Sequence, residues 1–185
     1  MNLFTLPPRG LVMVLIVLLL TAAVFDVLYR RIPNWLTVSG VLLGIALNAF
    51  IGPPEAGLVF SLAGLAVGFG IYAVLYALRA MGAGDVKLMA AVGALVGYQR
   101  WFGIFFITAL IGGVMALILV VARGRLKKTF FNMSFILSEM KSGRPAYLGN
   151  EELDVKNKKA LGLPHGAVIA VSTVFYLGYS AYLAR

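Results

Sequence analysis

Several apolar runs in this chain are long enough to cross ~30 Å of hydrocarbon, a distance that takes about 20 helical residues. That feature restricts the fold more than any other. Of its 185 residues, 61% are hydrophobic, and the mean hydropathy is +0.94, outside the range of soluble domains. The expected fold is all-α: a polytopic integral membrane protein with about six transmembrane helices. Residues 1–185 are read as a single membrane-embedded domain with no separate soluble module. An apolar run after Arg9 resembles a signal peptide, but no A-x-A site follows it and Arg30-Arg31 lie behind it, so no cleaved signal is expected.

Punctuation places the helices, because lipid-facing helices are apolar all round and periodicity says little. The spans expected are 10–28, 35–51, 57–78, 85–98, 101–122 and 163–183. Pro33-Asn34 separates the first two, with Asn34 as N-cap and Trp35 as interfacial anchor. Pro53-Pro54 separates the second and third, Gly82-Ala83-Gly84 the third and fourth, and Gln99-Arg100 the fourth and fifth. Leu163-Pro164 opens the sixth. The fourth, about 14 residues at ~1.5 Å each, reaches only ~21 Å and could be a re-entrant half-helix. Gly64, Gly68 and Gly70 form a small-residue pattern that suits close helix packing. Residues 125–140 mix cations with Leu126, Phe130, Phe131 and Phe135, as in a basic amphipathic helix lying on a membrane surface. The remainder, through Asn150 to Asp154, reads as loop.

Orientation follows from lysine and arginine. Alternating crossings put 13 of the 16 basic residues on one side: Arg30, Arg31, Arg79, Lys87 and those of the loop at about 123–162. Arg9, Arg100 and Arg185 fall on the other. The richer side is expected to be cytoplasmic, in a multi-pass protein of the inner, cytoplasmic membrane. This use of the net charge of +9 leaves no nucleic-acid partner to invoke. With no cysteine and one histidine, no disulfide, structural metal site or cofactor is expected.

Two acids stand out against this background. Between Leu11 and Ala122 the acids are Asp26, Glu55 and Asp85, and Glu55 sits in the Gly52-Pro53-Pro54 turn. A charged group within a membrane helix costs roughly 2.5–3.5 kcal/mol even on a lenient scale. The parity of the helices places Asp26 and Asp85 at the same membrane boundary. Each has a plainer explanation: Asp85 as the N-cap of its helix, Asp26 as an ion pair with Arg30 four residues on. Lys87, two residues after Asp85, is ambiguous: it reads as an interfacial lysine pointing elsewhere on the helix, with a supporting electrostatic role near the two aspartates as the alternative. His165, after Pro164, reads as a structural residue at a helix start.

Two carboxylates held close together share a proton, one serving as base and the other as acid. In hydrolysis the base activates water while the protonated partner polarises the scissile carbonyl. No metal, nucleophilic side chain or cofactor is needed.

Gly82-Ala83-Gly84-Asp85-Val86-Lys87-Leu88 resembles the GxGD signature of type IV prepilin peptidases. Asp26 to Asn34, with its arginines and Ile32-Pro33-Asn34, is similar to that family's first aspartate region. The resemblance implies a membrane aspartic endopeptidase that cuts the short basic leader from pilin-like precursors at the cytoplasmic face, just before an apolar helix. It implies Asp26 and Asp85 as the catalytic pair, with Gly82 and Gly84 shaping the turn. The precursor and membrane lipid would be its partners. Long family members carry a cytoplasmic domain with paired cysteines and also methylate the new N-terminus. Here a tight turn joins Asp26 to Trp35 and cysteine is absent. The chain resembles the compact, peptidase-only type of tight-adherence pili, without methyltransferase activity. The competing readings are a proton- or cation-coupled transporter using the two aspartates, and a non-catalytic assembly subunit. Against transport, both acids lie at one boundary rather than at the midplane.

Overall fold

The computed structural model describes residues 6–51, 57–141 and 163–183. They form α1 (Arg9–Tyr29), α2 (Asn34–Ile51), α3 (Gly57–Ala77), α4 (Ala83–Ala122), α5 (Leu126–Lys141) and α6 (His165–Leu183). All but α5 are long and apolar enough to cross a membrane, as expected of an all-α polytopic membrane protein. The Pro53-Pro54 turn and the loop beyond residue 141 lie outside the described residues.

α4 differs from the sequence expectation. Its 40 residues would be ~60 Å long as one straight helix, twice the hydrocarbon thickness. It is broken instead at Gly97 (φ 77°, ψ 165°), two residues before the expected break at Gln99-Arg100. The two arms are α4a, residues 83–96, and α4b, residues 98–122. Only glycine adopts that backbone region readily. A Cβ there would also run into the Phe60 ring.

The break leaves the last carbonyls of α4a without helical donors, which is expensive away from water. Polar side chains from three elements supply them. Asn48 Nδ2 donates to Ala94 O at 3.0 Å and to Leu95 O at 3.2 Å. Ser61 Oγ donates to Ala94 O at 2.7 Å, and Arg100 Nη1 to Val96 O at 3.2 Å. Arg100 also lies over the Phe60 ring. Arg100 is therefore buried as a carbonyl cap and does not mark a loop at the membrane edge. Its removal from the sparse side sharpens the charge asymmetry.

α4a is the central helix. Every residue from Leu88 to Gly97 is buried, and α4 packs against α1, α2, α3 and α6. Its shortness is tolerable because protein surrounds it. The tightest crossing is with α3, where a Cβ on Gly64 or on Gly93 would strike the other's backbone. A Cβ on Gly68 would strike Met89 O, at a slightly wider approach, while Gly70 faces open space. Trp101 Nε1 folds back from α4b to donate to Met89 O at 3.1 Å. The bundle's outer surface carries Val17, Leu20, Val24, Leu42, Phe50, Val59 and Leu110, all exposed, as lipid contact requires. α5 follows a sharp turn at Gly124 (φ 63°). It presents Leu126, Phe130 and Met133 outward beside exposed Arg123, Arg125 and Lys127. That is the amphipathic, basic helix the sequence suggests.

Candidate active site

Asp26 belongs to the inward stripe of α1. Leu11, Leu15, Leu18, Leu19, Ala22 and Asp26 are buried at three- and four-residue spacing, the period of one helix face. Asp26 is 9% exposed. One turn later Arg30 adopts a left-handed conformation and closes the helix, its N–H donating to Asp26 O at 3.0 Å. The reversal sends Ile32-Pro33-Asn34 back across the end of the bundle into α2.

Asp85 is positioned by the turn between α3 and α4. The N-cap is Gly82, so Asp85 occupies the third helical position and is not itself the cap. Its Oδ2 reaches back to accept from Gly82 N–H at 3.2 Å, the carboxylate half of a capping box. A Cβ on Gly82 would lie 3.2 Å from that oxygen. Gly84 makes room for Ile32, whose Cβ would be 3.3 Å from a Cβ there. Neither glycine has a positive φ; both supply close approach.

The two acids meet. Asp26 and Asp85 line one cavity of about 530 Å³ together with the Arg30–Asn34 turn, Gly82, Ala83, Gly84 and Lys87. They lie within electrostatic reach of each other. Of the two readings of Lys87, the geometry favours a place near the aspartates, since it lines the same cavity and donates from Nζ to Asn34 Oδ1 at 2.9 Å. Asn34 opens α2, and its side chain thus links two helix starts.

Three groups behind the cavity were not among the expected site residues. Gly166 N–H, in the first turn of α6, donates to Asp26 Oδ2 at 2.7 Å. Tyr72 is buried against Trp101 and Phe105 within reach of Asp85. His165 lies within reach of Asp26, its ring 6.2 Å from that of Tyr72. Its buried Nε2 has no hydrogen-bond partner among the described residues. Gly166 contacts a residue 140 positions earlier, a distance no local sequence signal spans. Among the described residues no three histidine, aspartate or glutamate side chains gather as a metal site. The chemistry on offer is that of two carboxylates that can divide one proton and activate water between them.

A profile described as the type IV leader peptidase family matches residues 13–117, more than half of the chain. The chain therefore belongs to that family. A "Prepilin leader peptidase/N-methyltransferase" of Neisseria gonorrhoeae is 32% identical over 118 residues, 61% of this chain and 41% of the relative. Proteins of the same description from Myxococcus xanthus (strain DK1622) and Bacillus subtilis (strain 168) are 31% and 34% identical. These alignments cover 61% and 62% of this chain, and 35% and 46% of the relatives. Each alignment thus spans less than half of the relative's length. No solved structure matches the chain.

Proposed function

We propose that this chain is a membrane-embedded aspartic endopeptidase. Its substrate is a type IV pilin-like precursor, cut between a short basic leader and an apolar helix. The observation that carries this reading is the convergence of Asp26 and Asp85 on one cavity at the ends of α1 and α4a, within a member of the type IV leader peptidase family.

The ionised carboxylate of the pair takes a proton from water, and the water oxygen attacks the scissile carbonyl carbon. The proton on the other carboxyl passes to the carbonyl oxygen. When the tetrahedral intermediate collapses, the C–N bond breaks, the leaving amine takes the proton first removed from water, and one hydroxyl of the intermediate gives its proton to the second carboxylate, which restores the pair. A substrate helix must unwind locally beforehand, because an intact helix hides its amides in internal hydrogen bonds. The excess of arginine and lysine around the cavity end supports a cytoplasmic orientation. The cavity's position at helix ends, rather than at mid-bundle, weighs against transport.

The test is reconstitution of the purified chain in lipid vesicles with a tagged type IV pilin precursor, followed by mass spectrometry of the products. The expected product begins at the junction of leader and apolar helix. An intact precursor, or cleavage elsewhere, contradicts the assignment.

A further inference from the structure

The family match ends at residue 117, yet the start of α6 (His165–Leu183) reaches Asp26, one of the residues that line the cavity. Gly166 is buried, and among the described residues its N–H makes the shorter of the hydrogen bonds to the two aspartate side chains, at 2.7 Å to Asp26 Oδ2 against 3.2 Å from Gly82 to Asp85 Oδ2. A length of 2.7 Å is that of a charge-assisted bond. The first-turn amides of a helix have no partner of their own and point along its positive end, so a carboxylate oxygen completes them.

The position also crowds any side chain, because the Asp26 carboxylate and Ile32 would have to give by a few tenths of an ångström. A Cβ on Gly166 would lie 3.0 Å from Asp26 Oδ2, 3.2 Å from Asp26 Cβ and 3.0 Å from Ile32 Cδ1. Ile32 in turn packs against Gly84 of the other aspartate's turn. The two carboxylates are thus anchored alike. Gly82 N–H holds one oxygen of Asp85, and Gly166 N–H holds one oxygen of Asp26. Both bonds engage an Oδ2 atom.

We propose that Gly166 is a positioning residue of the peptidase: the start of α6 aims the Asp26 carboxylate at Asp85, and glycine there gives the backbone contact without a Cβ to push the carboxylate aside. This rests on the aspartic peptidase reading above.

Two experiments test it on the full chain. The single histidine makes His165-Gly166 the one His-Gly pair in the sequence. Labelling with carbonyl-¹³C histidine and ¹⁵N glycine therefore isolates the Gly166 amide as a single NMR cross-peak. Its proton should resonate far downfield in the wild type and move upfield in Asp26→Asn. A resonance indifferent to Asp26→Asn overturns the proposal, and this measurement needs no activity and no change at Gly166.

The second is cleavage kinetics of a tagged pilin precursor. Gly166→Ala, whose Cβ displaces the Asp26 carboxylate by a few tenths of an ångström, should lower kcat about tenfold, less than the ~100-fold of a full ~1 Å misplacement, with KM unchanged. Gly178→Ala, on the same helix with nothing within 4 Å, should match the wild type. Adding Ile32→Val to Gly166→Ala relieves the isoleucine contact and leaves the aspartate contact, so kcat should stay low. Wild-type kcat in Gly166→Ala, or recovery in the double variant, overturns the proposal. Full cleavage by Asp26→Asn overturns instead the aspartic reading on which it rests, whatever the cross-peak does.

Discussion

Lys87 Nζ donates to Asn34 Oδ1 at 2.9 Å, joining the first turns of α4 and α2 across the cavity that holds the two aspartates. The bond ties the Arg30–Asn34 turn, which lines one side of that cavity, to the helix that carries Asp85. Both residues are exposed, so the bond contributes little to stability, about 0.5–1.5 kcal/mol. Lys87→Met is expected to leave thermal unfolding in detergent nearly unchanged. It should lower kcat/KM by about threefold to tenfold, the same energy expressed in positioning. An equal effect from Lys127→Met, on α5 away from the cavity, contradicts the positioning role.

Asn48 and Ser61 cap the same broken helix unequally. Asn48 serves two carbonyls, Ala94 O and Leu95 O, while Ser61 serves Ala94 O, which Asn48 also reaches. Asn48→Leu removes the side-chain donor from two buried carbonyls at once, at a cost of about 1–3 kcal/mol. Ser61→Ala leaves each carbonyl a donor and should cost about 1 kcal/mol or less. Chemical or thermal unfolding of the two variants should rank them in that order.

Gly97→Ala should be the most damaging of the small substitutions in α4. It combines a positive φ, costing about 1–3 kcal/mol, with a Cβ driven into Phe60. Gly113→Ala, on the same helix with open space around it, should be neutral. Membrane accumulation and unfolding temperature check both.

A pair that needs one ionised and one protonated carboxyl gives a bell-shaped dependence of kcat/KM on pH, whose limbs belong to the pair rather than to either residue. A profile flat across the acid and neutral range contradicts a two-carboxyl mechanism.

Much of the site was legible in the sequence because lipid makes acids conspicuous. Asp26 and Asp85 stand out in apolar runs, and the helix parity that puts them at one end needs only the turn residues. What misled was polarity of a different origin. Gln99-Arg100 reads as an interfacial turn, yet Arg100 is buried because a broken helix end inside the bundle needs donors as much as a loop needs water. The real break, Gly97, hides in a small-residue helix where glycine also serves close packing. Lys87 stays ambiguous in the sequence because two residues on from Asp85 points elsewhere on a helix, whereas the cavity wraps the helix start and takes both. Gly166 was beyond reach, since its role depends on the packing of α6 against α1.

Cleavage of a pilin precursor by Asp26→Asn and Asp85→Asn, each at membrane levels equal to the wild type, tests the central claim most directly. Asparagine keeps the size and most of the hydrogen bonding but cannot exchange the proton. Each variant should lose at least ~100-fold in kcat, the lower bound for general acid–base catalysis. Unimpaired cleavage by either one would reduce that aspartate to a cap or a packing residue and contradict the dyad.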